Sequence, residues 1–263
     1  ILYFNPDHHG ITDGYKIRRI DAGRFDFGPT RVLPNRDLYF KGQWKAEITG
    51  EHSARMVSQV DTALDVRVVR EFRLDPKTSR LVCTQTLINM GDEEKYLFCW
   101  GRTFVHGGGI TLTPINPNSR YPQGHIGYLP CQGNNVMMFK HEEDPNVRIR
   151  DNILETLGVT NYKKFVMDGR EGWMGYLSPE DLLYIKKFKF FPDKKYGEMT
   201  APTTSIWQWQ DKIYEIEPYG PYEQVKPGES ISFTENWYLF EHPFPADQKP
   251  DLQRIRRKVS QLR

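Results

Sequence analysis

The sequence predicts an all-β fold of large antiparallel sheets, and three observations predict it. Stretches that alternate apolar and polar residues recur along most of the chain, separated by turn signals. Helical spacing is confined to two short segments. Aromatic residues make up 13% of the 263 residues, including 6 Trp and 14 Tyr, which suits a β-rich core. Many hairpins without alternating helices mean an antiparallel architecture, and a chain this long resolves it as two stacked sheets in one sandwich domain over residues 1–263.

The elements follow in order. The chain begins at Ile1 without methionine, and "ILYF" already reads as a strand, which leaves open further strands ahead of it. "ALDVRVVREFRL" (63–74) alternates, with Val66, Val68, Phe72 and Leu74 on one face. "RLVCTQTLIN" (80–89) and "EKYLFCWGRTFV" (94–105) flank a turn at 90–93 and are expected to pair, which brings Cys83 close to Cys99. That pair reads either as a disulfide or as two buried thiols, so cysteine leaves the compartment open; Cys131 stands apart, and no zinc or CxxC spacing occurs. "RDNILETLG" (150–158) is expected to make two helical turns, with Asp151 as N-cap and Gly158 as stop. "EGWMGYL" (171–177) and "DLLYIKKFKFF" (181–191) flank "SPED" as a second hairpin. "SIWQWQDKIYEIEP" (205–218) and "SISFTENWYLF" (230–240) are expected to form a third, with Pro227-Gly228 turning the chain between them. Leu252, Ile255, Val259 and Leu262 fall at helical spacing in 249–263, which predicts a basic C-terminal helix docked on a sheet.

The totals narrow the partners. The formal net charge is +2, too small a field to expect nucleic acid or an anionic membrane. Mean hydropathy is -0.65, and no apolar run approaches the roughly 20 residues of a membrane helix.

Charges interrupt several apolar faces: Arg70 in 63–74, Lys186 among Leu182, Tyr184 and Phe188, and Glu235 among Ile231, Phe233, Trp237 and Leu239. Such groups need a partner or a water-filled groove, so either buried pairs such as Arg70–Glu235 or a ligand cleft is expected. In "KIYEIEP" a period of two puts Glu215 and Glu217 on one face, about 7 Å apart. Two such carboxylates raise each other's pKa when desolvated, as a general acid or base requires; on a solvated strand they are ordinary charges. The long loop 113–130 offers Arg120, Tyr121 and His125 as the rim of a cleft, or is plain surface structure. "DHH" (7–9) has no third ligand at a metal spacing, and the "GGG" after His106 lacks the lysine and helix of a phosphate loop; neither metal nor cofactor is expected.

Residues 212–240, "KIYEIEPYGPYEQVKPGESISFTENWYLF", resemble the C-terminal end of galactose mutarotase-like domains of the aldose 1-epimerase superfamily, where a strand ends in a Leu-Glu-Pro step before a Pro-Gly-Glu turn and a final strand. "GWMGY" (172–176), "KKF" (186–188) and "FPD" (191–193) resemble one uncharacterised branch, and "VREFRLDPKTSRLVCTQTLINMGDE" is similar to the superfamily's mid-domain hairpin. The likeness spans roughly residues 60 to 240. It implies a β-supersandwich with a sugar-binding cleft on its concave face, and a small-molecule sugar or oligosaccharide as partner. Glu217 matches the glutamate that serves such enzymes as general base, with Glu215 supporting it. The family's histidine motif does not carry over: Arg102 stands at its place in "WGRTFVHGGG", and His106 lies four residues on. Arg102 or His106 is therefore the expected electrophilic or acid partner, and Arg102 suits a carboxylate or sulfate on an acidic sugar.

The resemblance further implies Trp173 as a stacking platform, with Lys186 and Arg70 in support. The missing histidine keeps a second reading open, a non-catalytic carbohydrate-binding module or accessory protein of polysaccharide degradation; a lyase or hydrolase reusing the cleft is a third. A polysaccharide role points to the periplasm or the cell exterior rather than the cytoplasm, although no residue carries that address.

Overall fold

The structure is a computed structural model, which describes every residue except 12, 14, 17–20, 22, 31, 132, 133, 141 and 263, and only the backbone at 130, 131, 134 and 135. Parts of the loop read over 5–14, the last residue of the expected C-terminal helix and the side chain of Cys131 thus lie outside the described residues. The strands form a ten-stranded, a six-stranded and a three-stranded sheet, paired antiparallel throughout. This is the all-β sandwich the alternation predicts.

The ten-stranded sheet is centred on Trp173–Ser178, Leu182–Phe188, Ser230–Glu241, Leu81–Asn89 and Val66–Leu74. The six-stranded sheet is built around Lys164–Met167, Thr204–Trp209, Ile213–Pro218 and Thr103–His106. Their facing sides share one core, in which Phe165, Ile206, Tyr214 and Ile216 of the smaller sheet meet Val68, Leu87, Tyr176 and Phe233 of the larger. The C-terminal helix Leu252–Ser260 lies on the other face of the ten-stranded sheet. Its Leu252, Ile255 and Val259 bury Trp173, Leu177, Leu183, Ile185 and Tyr238. Asp251 caps that helix by accepting from the Arg254 N–H at 2.8 Å.

Two expected turns stand as read. Trp173–Ser178 pairs with Leu182–Phe188 around "SPED". At Pro227-Gly228, Gly228 takes φ 76° and the Glu229 N–H donates to the Lys226 carbonyl at 2.9 Å. Three expectations are corrected. Residues 150–158 form no helix; Val147–Arg150 and Ile153–Leu157 are a hairpin whose central residues, Asp151 and Asn152, take φ 49° and 56°. Short polar side chains tolerate that left-handed pair, so the dipeptide serves as a turn and not as an N-cap. Leu81–Asn89 and Lys95–Gly101 do not pair. The first lies in the ten-stranded sheet, and the second pairs with Phe25–Gly28 and Glu223–Val225. Cys83 and Cys99 are accordingly buried free thiols on strands of different sheets, with burial pushing the Cys83 thiol up to about 12. Finally, residues 205–218 fold on themselves as Thr204–Trp209 against Ile213–Pro218, and Ser230–Glu241 belongs to the other sheet.

The charges on apolar faces become a buried pair, but with different partners from those expected. Lys186 Nζ lies 2.7 Å from Glu235 Oε2, both side chains fully buried, and donates to Thr103 Oγ1 at 3.0 Å and the Ile216 carbonyl at 3.2 Å. Glu235 also accepts from Gln85 Nε2 and Trp237 Nε1. Arg70 instead rests over the rings of Phe72 and Phe25, at 5.0 and 5.9 Å.

Candidate functional site

Ile213–Pro218 points Tyr214 and Ile216 into the shared core, so Glu215 and Glu217 face outward from the sandwich. The neighbouring strands complete that face. Ser205 stands opposite Glu217 and Trp207 opposite Glu215, and one strand further Lys164 stands opposite Trp207. On the other side Phe104 stands opposite Glu215, and Arg102 precedes that strand.

A charged cluster results. Arg102 grips Glu215 with two parallel bonds, Nε to Oε1 at 2.5 Å and Nη2 to Oε2 at 2.9 Å, and its Nε also lies 3.3 Å from Glu217 Oε1. Lys164 Nζ sits 2.7 Å from Glu217 Oε2, and the Ser205 hydroxyl donates to the same oxygen. Asp26 closes the cluster, 2.9 Å from Arg36 Nη2 and 3.4 Å from Arg102 Nη1. Trp100 forms one wall: it stacks on Tyr219 at 5.2 Å, and Lys164 and Arg102 each lie 4.6 Å from its ring centroid. The glutamates are fully buried, whereas the side chains of Arg102 and Lys164 are 17% and 16% exposed. The cations thus carry the cluster to the surface.

Burial pushes Glu215 up to about 7, Arg102 opposing and Glu217 adding to the rise. Burial acts on Glu217 in the same sense, but Lys164 and Arg102 outweigh it and hold that carboxyl below the usual range. The two same-face glutamates are pushed apart, one toward neutrality and one kept anionic, a division seen where carboxylates share acid and base work. Among the described residues Glu217 Oε1 accepts no hydrogen bond, although it is buried 3.3 Å from Arg102 Nε, while Oε2 is held by Lys164 and Ser205.

Of the residues singled out in the sequence, Glu217, Glu215 and Arg102 come together. The others do not join them. His106 is exposed opposite Ile213, four residues and about 13 Å along the strand from Glu217, with its ring edge-on to Tyr3. Trp173 is 3% exposed beneath the C-terminal helix, so it offers no face for stacking. Lys186 spends its ammonium on Glu235, Thr103 and Ile216 inside the core. Arg70 lies over Phe25 and Phe72. His125 is buried and hydrogen-bonds the Gln123 carbonyl at 2.9 Å, its ring edge-on to Phe165. Arg120 does stand at a rim, over a cavity it shares with Asp168 and Arg170. In the "DHH" loop, His8 is buried against Asp21.

Sequence reading missed Trp100, Lys164, Ser205 and Tyr219. Period two could have found two of them, since Trp100 precedes Arg102, and Tyr219 follows Glu217, by two residues. Lys164 and Ser205 carry no such signal; only the pairing of their strands brings them to Glu217.

No family model matches the chain, and no curated protein does. Solved structures do. A putative aldose 1-epimerase from Escherichia coli K12 aligns with a TM-score of 0.54 at 13% identity, over 80% of this chain and 75% of that one. A galactose mutarotase-like protein from Lactobacillus casei aligns at 0.52 and 12% identity, over 76% and 74%. A galactose mutarotase related enzyme from Lactobacillus acidophilus aligns at 0.51 and 10% identity, over 77% and 73%. At these identities the likeness is one of fold: the chain has a galactose mutarotase-like fold.

Proposed function

We propose that this chain acts on a sugar at its anomeric centre, with Glu217 as general base. One observation supports the reading: Glu217, in the "IEP" step, is held anionic by Lys164 and Arg102, and its Oε1, buried 3.3 Å from Arg102 Nε, accepts no hydrogen bond among the described residues. The fold shared with proteins described as aldose 1-epimerase and mutarotase-like supports the same reaction class.

In that reaction Glu217 Oε1 takes the proton of the C1 hydroxyl. The C1–O5 bond breaks, C1 becomes an aldehyde, and O5 leaves as a hydroxyl after accepting a proton. Lys164, on the Glu217 carboxylate at 2.7 Å, is placed to donate to O5, the part a histidine plays in the resembled motif. Rotation about C1–C2 and reversal give the other anomer. Arg102 orients Glu215 and keeps charge balanced beside the base. Trp100, with Tyr219 behind it, supplies an aromatic wall for a sugar ring.

The test is NMR exchange spectroscopy on aldoses with the parent protein and Glu217→Gln. Parent protein should speed anomer exchange, and the variant should lose at least a hundredfold while still unfolding cooperatively, at a temperature lowered by the loss of the Lys164 pair. Full activity in the variant removes Glu217 from the role.

A non-catalytic sugar-binding module is the second reading. It is favoured by the ion pairs that occupy both glutamates and by the lack of any histidine in contact with either among the described residues. Binding without anomer exchange would select it.

A further inference from the structure

Just beyond the glutamates the same face of the six-stranded sheet opens into a cavity of about 460 Å³. Thr203 and Asp168 line it, one residue beyond the paired Thr204 and Met167. Thr203 precedes Ser205, the hydroxyl that donates to Glu217, by two residues, about 7 Å on the same face. The Tyr219 N–H binds the Thr203 carbonyl at 2.9 Å, which fixes the cavity to the aromatic wall of the site.

The charge of this cavity is one-sided. Arg120, Arg170, Lys194 and Lys195 line it against a single carboxylate, Asp168. That carboxylate is already served by the Ser119 hydroxyl at 2.6 Å and the Arg120 N–H at 3.1 Å. Arg120 also donates to the Ala201 carbonyl, and Lys194 pairs with Glu223. The side chains of Arg170 and Lys195 have no hydrogen bond or ion pair among the described residues. Two free cations over one polar cavity favour an anion. Phe190 and Tyr196, stacked at 5.9 Å and 9°, add an apolar wall.

We infer that this cavity is a subsite for a carboxylate or sulfate on the saccharide unit next to the one held at Glu217. The inference rests on the sugar reading of the Glu217 site and moves acidic-sugar recognition away from Arg102, whose guanidinium is taken up by Glu215.

Titration calorimetry at low salt with trigalacturonate, a sulfated galactose trisaccharide and neutral galactotriose tests it. At least one charged trimer should bind ten or more times tighter than the neutral one, and the tighter of the two identifies the anionic group. Arg170→Ser with Lys195→Ser should abolish that preference without changing affinity for galactotriose. Equal affinities, no binding of either charged trimer, or a double variant within twofold of the parent would overturn the subsite. The two proposals separate cleanly. Charge-selective binding without anomer exchange sinks only the Glu217 chemistry, and exchange without charge preference sinks only the subsite.

Discussion

Arg102 and Glu215 are joined edge to edge by two hydrogen bonds, 2.5 and 2.9 Å long, with the carboxylate fully buried and the guanidinium only 17% exposed. Two further carboxylates, Glu217 at 3.3 Å and Asp26 at 3.4 Å, lean on the same cation. Among the described residues Arg102 is therefore the one cation that touches all three carboxylates, with Lys164 and Arg36 each serving one of them.

Removing it leaves buried anions short of a partner. Arg102→Ala should cost about 3–5 kcal/mol of stability in urea denaturation. Arg102→Lys keeps the charge but not the planar fork, and should recover only part of the loss. An alanine variant within about 1 kcal/mol of the parent would show that the cluster is balanced elsewhere.

The pH dependence follows from Glu215. Its folded-state pKa, about 7, lies above the ordinary 4.5. A raised carboxyl contributes stability that is full below 4.5 and is lost as pH rises through about 7. Glu215→Gln should flatten the fall of Tm with pH across that window. Glu217 has the opposite sign: its contribution is present above the ordinary value and is lost on acidification. An unchanged Tm profile in Glu215→Gln would contradict the assignment.

Lys186 and Glu235 invite a paired test. Lys186→Met alone strands a fully buried carboxylate and should cost about 3–5 kcal/mol. Lys186→Met with Glu235→Gln removes both charges while keeping one of the two acceptor oxygens that Gln85 and Trp237 use, and should regain part of that loss. Strictly additive losses in denaturant unfolding would rule out the coupling.

Trp173 separates packing from recognition. Trp173→Ala should cost about 3–5 kcal/mol because the indole fills the space under the C-terminal helix. Affinity for any sugar that binds should stay within twofold. Lost affinity at unchanged stability would restore the stacking role that its motif suggested.

What could be read from the sequence was what local chemistry decides. Pro227-Gly228 is a turn because proline presets one angle and glycine permits the next. The terminal helix shows its buried face every three or four residues, and Glu217 is marked by the step that follows it. The misreadings arose where two local rules compete or where none applies. Asp151-Asn152 suits an N-cap as well as a left-handed turn, and only pairing with Val147–Arg150 decides between them. Alternation tells which residues of Lys95–Gly101 share a face, but not which sheet the strand joins. The partners of Lys186 and the arrival of Lys164 at Glu217 are set by strand register over long separations, which no short window contains.

The two thiols make the sandwich its own reporter. Cys83 and Cys99 are enclosed, and burial raises both so that the reactive thiolate is suppressed in the folded chain. In a Cys131→Ser background, alkylation of either thiol has to await an opening of the structure that encloses it. Labelling rates with and without a sugar would then measure how far ligand binding slows that opening, a clock built into the molecule without an added probe.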